Sequence, residues 1–197
     1  MSAAAPPALM TTEDLLAMPD DGVERWLIKG QLREQRSEYR SNKGTTVRNR
    51  EHSRIMARVA QFLDNWLDQQ PEPRGEVVCG EAGARLRGTP ESAVGIDVAY
   101  VDAAVAARRP DDTSLIDGAP VLAVEILSPN DVIEAINEKI DEYLDAGVRV
   151  VWRIDPHDRT VTIYRPNRPP DMVNDVQELS GDPELPGFRV AVARLFS

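Results

Sequence analysis

Apolar residues recur along this chain with two periods, three-to-four and two. From Glu51 to Gln69, Ile55, Val59, Phe62, Leu63 and Trp66 fall three and four apart, the stripe of an amphipathic helix that Gln70-Pro71-Glu72-Pro73 ends. Glu24 to Glu34 alternates around Trp26 and Ile28, which predicts a hairpin with Lys29-Gly30 as its turn or bulge. Glu76–Leu86 and Val94–Val101 read as strands. Val121 to Leu127 is apolar throughout except for Glu125, the pattern of a strand covered on both faces. Ser128-Pro129-Asn130-Asp131 then caps a helix running to about Ala146, with Ile133, Ile136, Ile140, Tyr143 and Leu144 on its buried side and Gly147 at its C-terminal end. Arg149–Ile154 and Thr160–Tyr164 are two further strands joined by an Asp-Pro-His-Asp turn.

The remaining segments are short or polar. Thr11 to Leu16 starts a brief helix, Ser37 to Arg50 is a polar loop, and Ala103 to Gly118 is a loop with one helical turn. The Pro-rich tail holds one more strand and a short C-terminal turn. Helix, strands, helix, strands gives an α/β (α+β) fold with a mixed central sheet flanked by helices.

The 197 residues suit one domain, from residue 11 to Ser197, behind an Ala/Pro-rich disordered tail from Met1 to Met10 that lacks the features of a secretory leader. No apolar run approaches the roughly 18 residues of a membrane span. Cys79 is the only cysteine, which excludes a disulfide within the chain and points to the cytoplasm; with two histidines beside it, a structural zinc site lacks ligands. The formal net charge of −10 speaks against general affinity for nucleic acid. Its distribution changes that picture, because Arg25 to Arg58 holds ten bases against three acids. A solvated charge run is the plain reading of this stretch, and a phosphate-backbone track is the functional one.

Two acids stand out against this pattern. Glu125 and Asp97, the latter within Val94-Gly95-Ile96-Asp97-Val98-Ala99-Tyr100, sit inside apolar strands where an unpaired carboxylate is costly. One divalent cation would relieve both; so would a buried ion pair with a base, or a strand-edge position facing water.

Asp97, then Glu125-Ile126-Leu127-Ser128-Pro129, Lys139, Tyr143, Gly147-Val148 and Val151-Trp152-Arg153-Ile154-Asp155-Pro156 resemble the Uma-two family of restriction-endonuclease-like proteins, within the PD-(D/E)XK nuclease superfamily. The likeness runs from about Thr12 to the C-terminus. It implies an αβββαβ restriction-endonuclease-like core and hydrolysis of phosphodiester bonds with Mg²⁺ (Mn²⁺ as substitute), with DNA as the substrate and a homodimer as the assembly. By that resemblance Asp97 and Glu125 are the metal-binding acids. Leu127 occupies the usual lysine position, so Lys139 is the migrated lysine, placed in catalysis and not in folding. His52 matches a recurring family histidine, although a helix-start role bonded to nearby backbone is an equal reading. Three departures follow from the same comparison. Ile96 replaces a proline, Glu134-Ala135 stands where Arg-Asp is common, and the early family Glu is Trp26, with Glu24 two residues earlier as the acid that could reach the site instead. The basic stretch supplies Arg48, Arg50, Arg54 and Arg58 as the expected contacts to nucleic acid. The leading expectation is a Mg²⁺-dependent DNA endonuclease, and the alternative is a catalytically weakened nuclease-fold protein that binds DNA or serves a structural role. A third reading, an acidic protein–protein interaction module, has no motif behind it.

Overall fold

A computed structural model of the chain describes residues 8–35, 50–108, 115–129 and 131–197. The expected Arg48, most of the polar loop before it, and most of the proposed N-terminal tail lie outside these residues.

The first helix, α1 (Thr12–Leu16), carries a capping box, Thr11 and Asp14 each satisfying the other's backbone N–H. Strands β1 (Glu24–Ile28) and β2 (Gln31–Gln35) form the expected hairpin. Its two turn residues, Lys29 and Gly30, both take positive φ (49° and 71°), the handedness that matches strand twist. The long stripe builds α2 (Arg50–Leu67), and β3 (Glu76–Leu86) and β4 (Ser92–Val101) follow. The segment expected as a loop holds α3 (Ala103–Ala106) and a two-residue strand, β5 (Ile116–Asp117), too short to show as alternation. The continuous apolar run forms β6 (Leu122–Ile126), and α4 (Ile133–Asp145) leads to β7 (Val150–Asp155) and β8 (Thr160–Tyr164).

Three expectations need correction here. Helix α4 is not capped by the Ser128–Asp131 segment: Val132 is its N-cap and makes no side-chain hydrogen bond, while the Asp131 carboxylate accepts instead from the Ser128 N–H at 2.7 Å. Ile133, expected on the buried side, is exposed at the helix start, and Lys139 and Glu142 are buried beside Ile140 and Tyr143. The C-terminal tail is also richer than one strand. It forms β9 (Asp171–Asn174), β10 (Glu178–Ser180), β11 (Arg189–Ala191) and a 3₁₀ turn, Val192–Leu195. Each piece is too brief for its period to register, but Leu179, Leu185, Phe188, Val190, Val192, Leu195 and Phe196 all enter the core over α2.

Among the described residues β1 to β9 join one nine-stranded sheet along the path β2-β1-β4-β6-β7-β8-β9, with β3 against β4 and β5 against β3. Most pairs are antiparallel; β6 and β7 are parallel, joined by the crossover helix α4. Setting aside β5 and the short α3, the run α2-β3-β4-β6-α4-β7 has the αβββαβ order. Apolar residues on the α2 side and the α4 side form separate cores, so the central strands are covered on both faces.

The middle of β4 is irregular. Strand β3 pairs along the whole of β4, from Glu76↔Val101 to Leu86↔Ser92, and fills one edge. Strands β1 and β6 therefore share the other edge, β1 at Leu27↔Ala93 and β6 from Val98↔Val124 to Tyr100↔Leu122. Between them the edge forks. Opposite the fork β3 bulges: the register steps from Cys79↔Val98 to Ala82↔Ile96, which sets Gly80 and Glu81 against Asp97. Strict alternation along β4 also fails there, since Val94, Ile96 and Ala99 share the α4-side core while Val98 joins the other.

Candidate active site at the strand fork

The β4–β6 ladder stops one step short of Asp97, and the next opposed pair in that register is Asp97 and Glu125. In place of a backbone acceptor, the Ile126 N–H donates to Asp97 Oδ2 at 2.8 Å, so the carboxylate itself wedges the strands apart. His52, at the start of α2, places Nε2 3.1 Å from the same oxygen. Glu125 is held from α4: Lys139 Nζ lies 3.0 Å from Oε2, and the Tyr143 hydroxyl donates to Oε1 at 2.5 Å. Lys139 also donates to the Gly95 carbonyl at 3.0 Å, in the gap of the fork, and lies 5.9 Å from the centre of the Trp26 ring. Arg153, registered beside Glu125 on β7, stacks over Tyr164.

Asp97, Glu125 and His52 are each 4 % exposed and Lys139 7 %, so every charge here must be met by the protein or by a ligand. For Asp97, burial alone would raise the carboxyl; His52, the Ile126 N–H and Lys139 outweigh it and hold the group below its ordinary value. Burial pushes the Glu125 carboxyl up against the pull of Lys139. Burial would lower Lys139, but Glu125 and then Glu81 overcome it and raise the amine. Those two directions oppose each other within one pair, and the geometry favours a charged lysine, because Nζ has two oxygen acceptors at 3.0 Å.

Some polar atoms are left over, Trp26 Nε1 and Asp97 Oδ1 among them. Asp97 Oδ1 is buried and has no hydrogen-bond partner among the described residues. Asp97 lines a cavity of about 50 Å³ together with Glu24, Trp26, His52, Glu81, Glu125, Ser128, Asp131 and Lys139. An orphaned carboxylate oxygen beside a second carboxylate is the donor chemistry of a hard divalent cation, so the residues fit Mg²⁺ or Mn²⁺. As the side chains stand, no three His, Cys, Asp or Glu residues among those described converge on one point, and Glu125 Oε2 is committed to Lys139. A cation held by Asp97 and Glu125 would take that oxygen in competition with the lysine.

The fork thus gathers Asp97, Glu125, Lys139 and His52 around one cavity. Glu24 reaches its wall from the exposed end of β1. Arg50, Arg54 and Arg58 lie apart, exposed along α2, where Arg54 donates to the Phe196 carbonyl (3.0 Å) and Arg58 to the main-chain oxygen of Ser197 (3.3 Å). Elsewhere in the basic stretch Arg25 pairs with Asp21 and Glu34, and Arg33 with Glu138, so these bases hold the hairpin in place. The sequence reading missed Glu81 and Asp131. Glycines on either side of Glu81, Gly80 and Gly83 inside a strand pattern, were the signal for a bulge. Asp131 belongs to the segment misread as a helix cap.

Comparison with known proteins agrees with this fold. A solved structure described as a putative nuclease belonging to DUF820, from Anabaena variabilis ATCC 29413, shares the fold with a TM-score of 0.76 at 18 % identity, over 95 % of this chain and 97 % of that one. No curated protein matches the chain. Among the described residues no helix is long and apolar enough to cross a membrane. The family model Uma2, described as "Putative restriction endonuclease", matches residues 13–193, and the chain belongs to that family.

Proposed function

We propose that this protein is a Mg²⁺-dependent endonuclease that hydrolyses phosphodiester bonds in DNA, with Mn²⁺ able to replace Mg²⁺. The observation that carries the reading is the pair of buried carboxylates at the strand fork, one with an oxygen left unpaired. Asp97 and Glu125 would hold the cation, which when bound supplies a Lewis acid for a phosphoryl oxygen and lowers the pKa of a water nucleophile. The chain's own residues supply the rest. His52 and the Ile126 N–H fix the Asp97 carboxylate through Oδ2, leaving Oδ1 uncommitted for a ligand. Tyr143 fixes Glu125 through Oε1 and leaves Oε2 for exchange between Lys139 and the cation. Lys139, released from Glu125, is a protonated donor at the cavity wall and stabilises the additional charge that develops on the phosphate oxygens. Arg50, Arg54 and Arg58, four apart and exposed, are the backbone-contacting face. A homodimer would present one such site to each strand of a duplex, whose backbones are themselves related by two-fold axes.

The second reading, a fold that kept the acids and lost the reaction, is favoured by one observation. Lys139 and Tyr143 together satisfy both Glu125 oxygens, and the cavity is only about 50 Å³. A nicking assay on supercoiled plasmid separates the two. The wild type should cut in Mg²⁺ or Mn²⁺ and not in chelator, and Asp97→Asn and Glu125→Gln should abolish cutting and weaken Mn²⁺ binding in calorimetry. Wild-type protein that binds Mn²⁺ without cutting any DNA would establish the second reading.

A further inference from the structure

We propose that Glu81, delivered by the β3 bulge, is a third carboxylate ligand of the divalent cation. The inference rests on the metal-dependent reading above. The bulge stands across β4 from Asp97 and carries two successive residues with positive φ, Gly80 at 96° and Glu81 at 59°. Glycine adopts that conformation freely, but glutamate does so against steric strain, and such strain concentrates at functional sites. The strained backbone carries the Glu81 side chain over β4 at Gly95. A Cβ built on Gly95 would lie 2.8 Å from Glu81 Oε2, so the carboxylate occupies the space that any side chain at position 95 would need. It lines the same cavity as Asp97 and Glu125 and is among the charges that keep Lys139 protonated.

The second, independent sign of a ligand is Asp97 itself, which lines that cavity, is 4 % exposed and has an Oδ1 without a partner among the described residues. Divalent cations of this class take six or more oxygens, and affinity follows the number of charged ligands. Two carboxylates on one fork supply few of these. A third, on a flexible arm across the cavity, raises the charge of the site without crowding the two core strands. The Glu81 side chain would turn from above Gly95 toward the cation when it arrives.

The test is Mn²⁺ alone, titrated into the full chain by calorimetry and followed in parallel by Mn²⁺ electron paramagnetic resonance, without DNA. Glu81→Gln should weaken Mn²⁺ by at least about tenfold, and so should Glu81→Gly. The glycine variant relieves the left-handed backbone strain, and equal far-ultraviolet circular dichroism in it and the parent keeps the test valid if the glutamine variant does not fold. Unchanged affinity in Glu81→Gly, with wild type binding and Asp97→Asn not, overturns the inference and leaves the nuclease reading intact. Loss of affinity in Glu24→Gln with none in Glu81→Gly would give the third ligand to Glu24 and equally overturn it. No Mn²⁺ binding by the wild type would remove the metal-dependent reading itself.

Discussion

Lys139 is where a proposed catalytic role meets a structural one. Its position two turns into α4 and the leucine at 127 mark it as a catalytic lysine in the sequence, with no part in folding. The structure corrects the second half of that expectation: the ammonium is buried and is the main countercharge of Glu125. Removing one partner of such a pair leaves the other charge stranded, at a cost of about 3–5 kcal/mol. Lys139→Ala should therefore lose stability on that scale in urea denaturation, as well as activity. The double variant Lys139→Met with Glu125→Gln should recover most of the stability, because neither charge remains. Equal midpoints for Lys139→Ala and the parent would show that Glu125 is protonated in the folded protein. Asp97 and Glu125 were legible because a carboxylate in an apolar strand demands a reason. His52 was half legible: it extends the stripe of Ile55 and Val59 by three residues, so its side chain had to face inward. Glu81 was not, since only its backbone conformation aims it, and no alternation of residue types encodes a positive φ.

At the scale of elements, long periodic segments declared themselves, as did short ones marked by a cap or a turn, whereas the brief strands of the tail did not. Strand β3 was read with both ends correct because turn signals bracket its eleven residues, although a bulge interrupts its middle. The stretch of the tail that holds β11 and the 3₁₀ turn offered no such length, although its side chains close the core over α2. The start of α4 shows a different ambiguity. Ser128, Asn130 and Asp131 are all good capping residues, but the chain is still extended at Val132 (φ −84°, ψ 112°), so the cap falls on a residue whose side chain cannot hydrogen-bond. That position is exposed and already has cap geometry, so Val132→Ser should stabilise the protein by about 0.5–2 kcal/mol. A higher thermal midpoint in Val132→Ser than in the parent is the expected result. No change would mean that the N-terminal amides of α4 already have partners.

For the whole molecule, the contest is between a net charge of −10 and a basic face. Long-range repulsion would oppose any encounter with DNA, so attraction must come from the local excess between Arg25 and Arg58, of which α2 carries the C-terminal part. Arg50, Arg54 and Arg58 are exposed there, although the last two each give one hydrogen bond to the C-terminal residues. Their replacement by Ser should flatten the log–log dependence of duplex affinity on salt by up to about one unit for each phosphate no longer neutralised. Fluorescence anisotropy in Ca²⁺, at several salt concentrations, measures that slope, and an unchanged slope in the triple variant would move the DNA face elsewhere. The fork bears on a question of another kind, how such a molecule tolerates change. Asp97 and Glu125 stand on strands braced by neighbours on both edges, whereas Glu24 and Trp26 ride on a hairpin whose backbone joins β4 near its turn, through Gly30 to Glu91 and Leu27↔Ala93. The acids at the cavity's rim, Glu24 on the exposed end of the hairpin and Glu81 on the opposite bulge, can therefore be exchanged by mutation while Asp97 and Glu125 keep their frame.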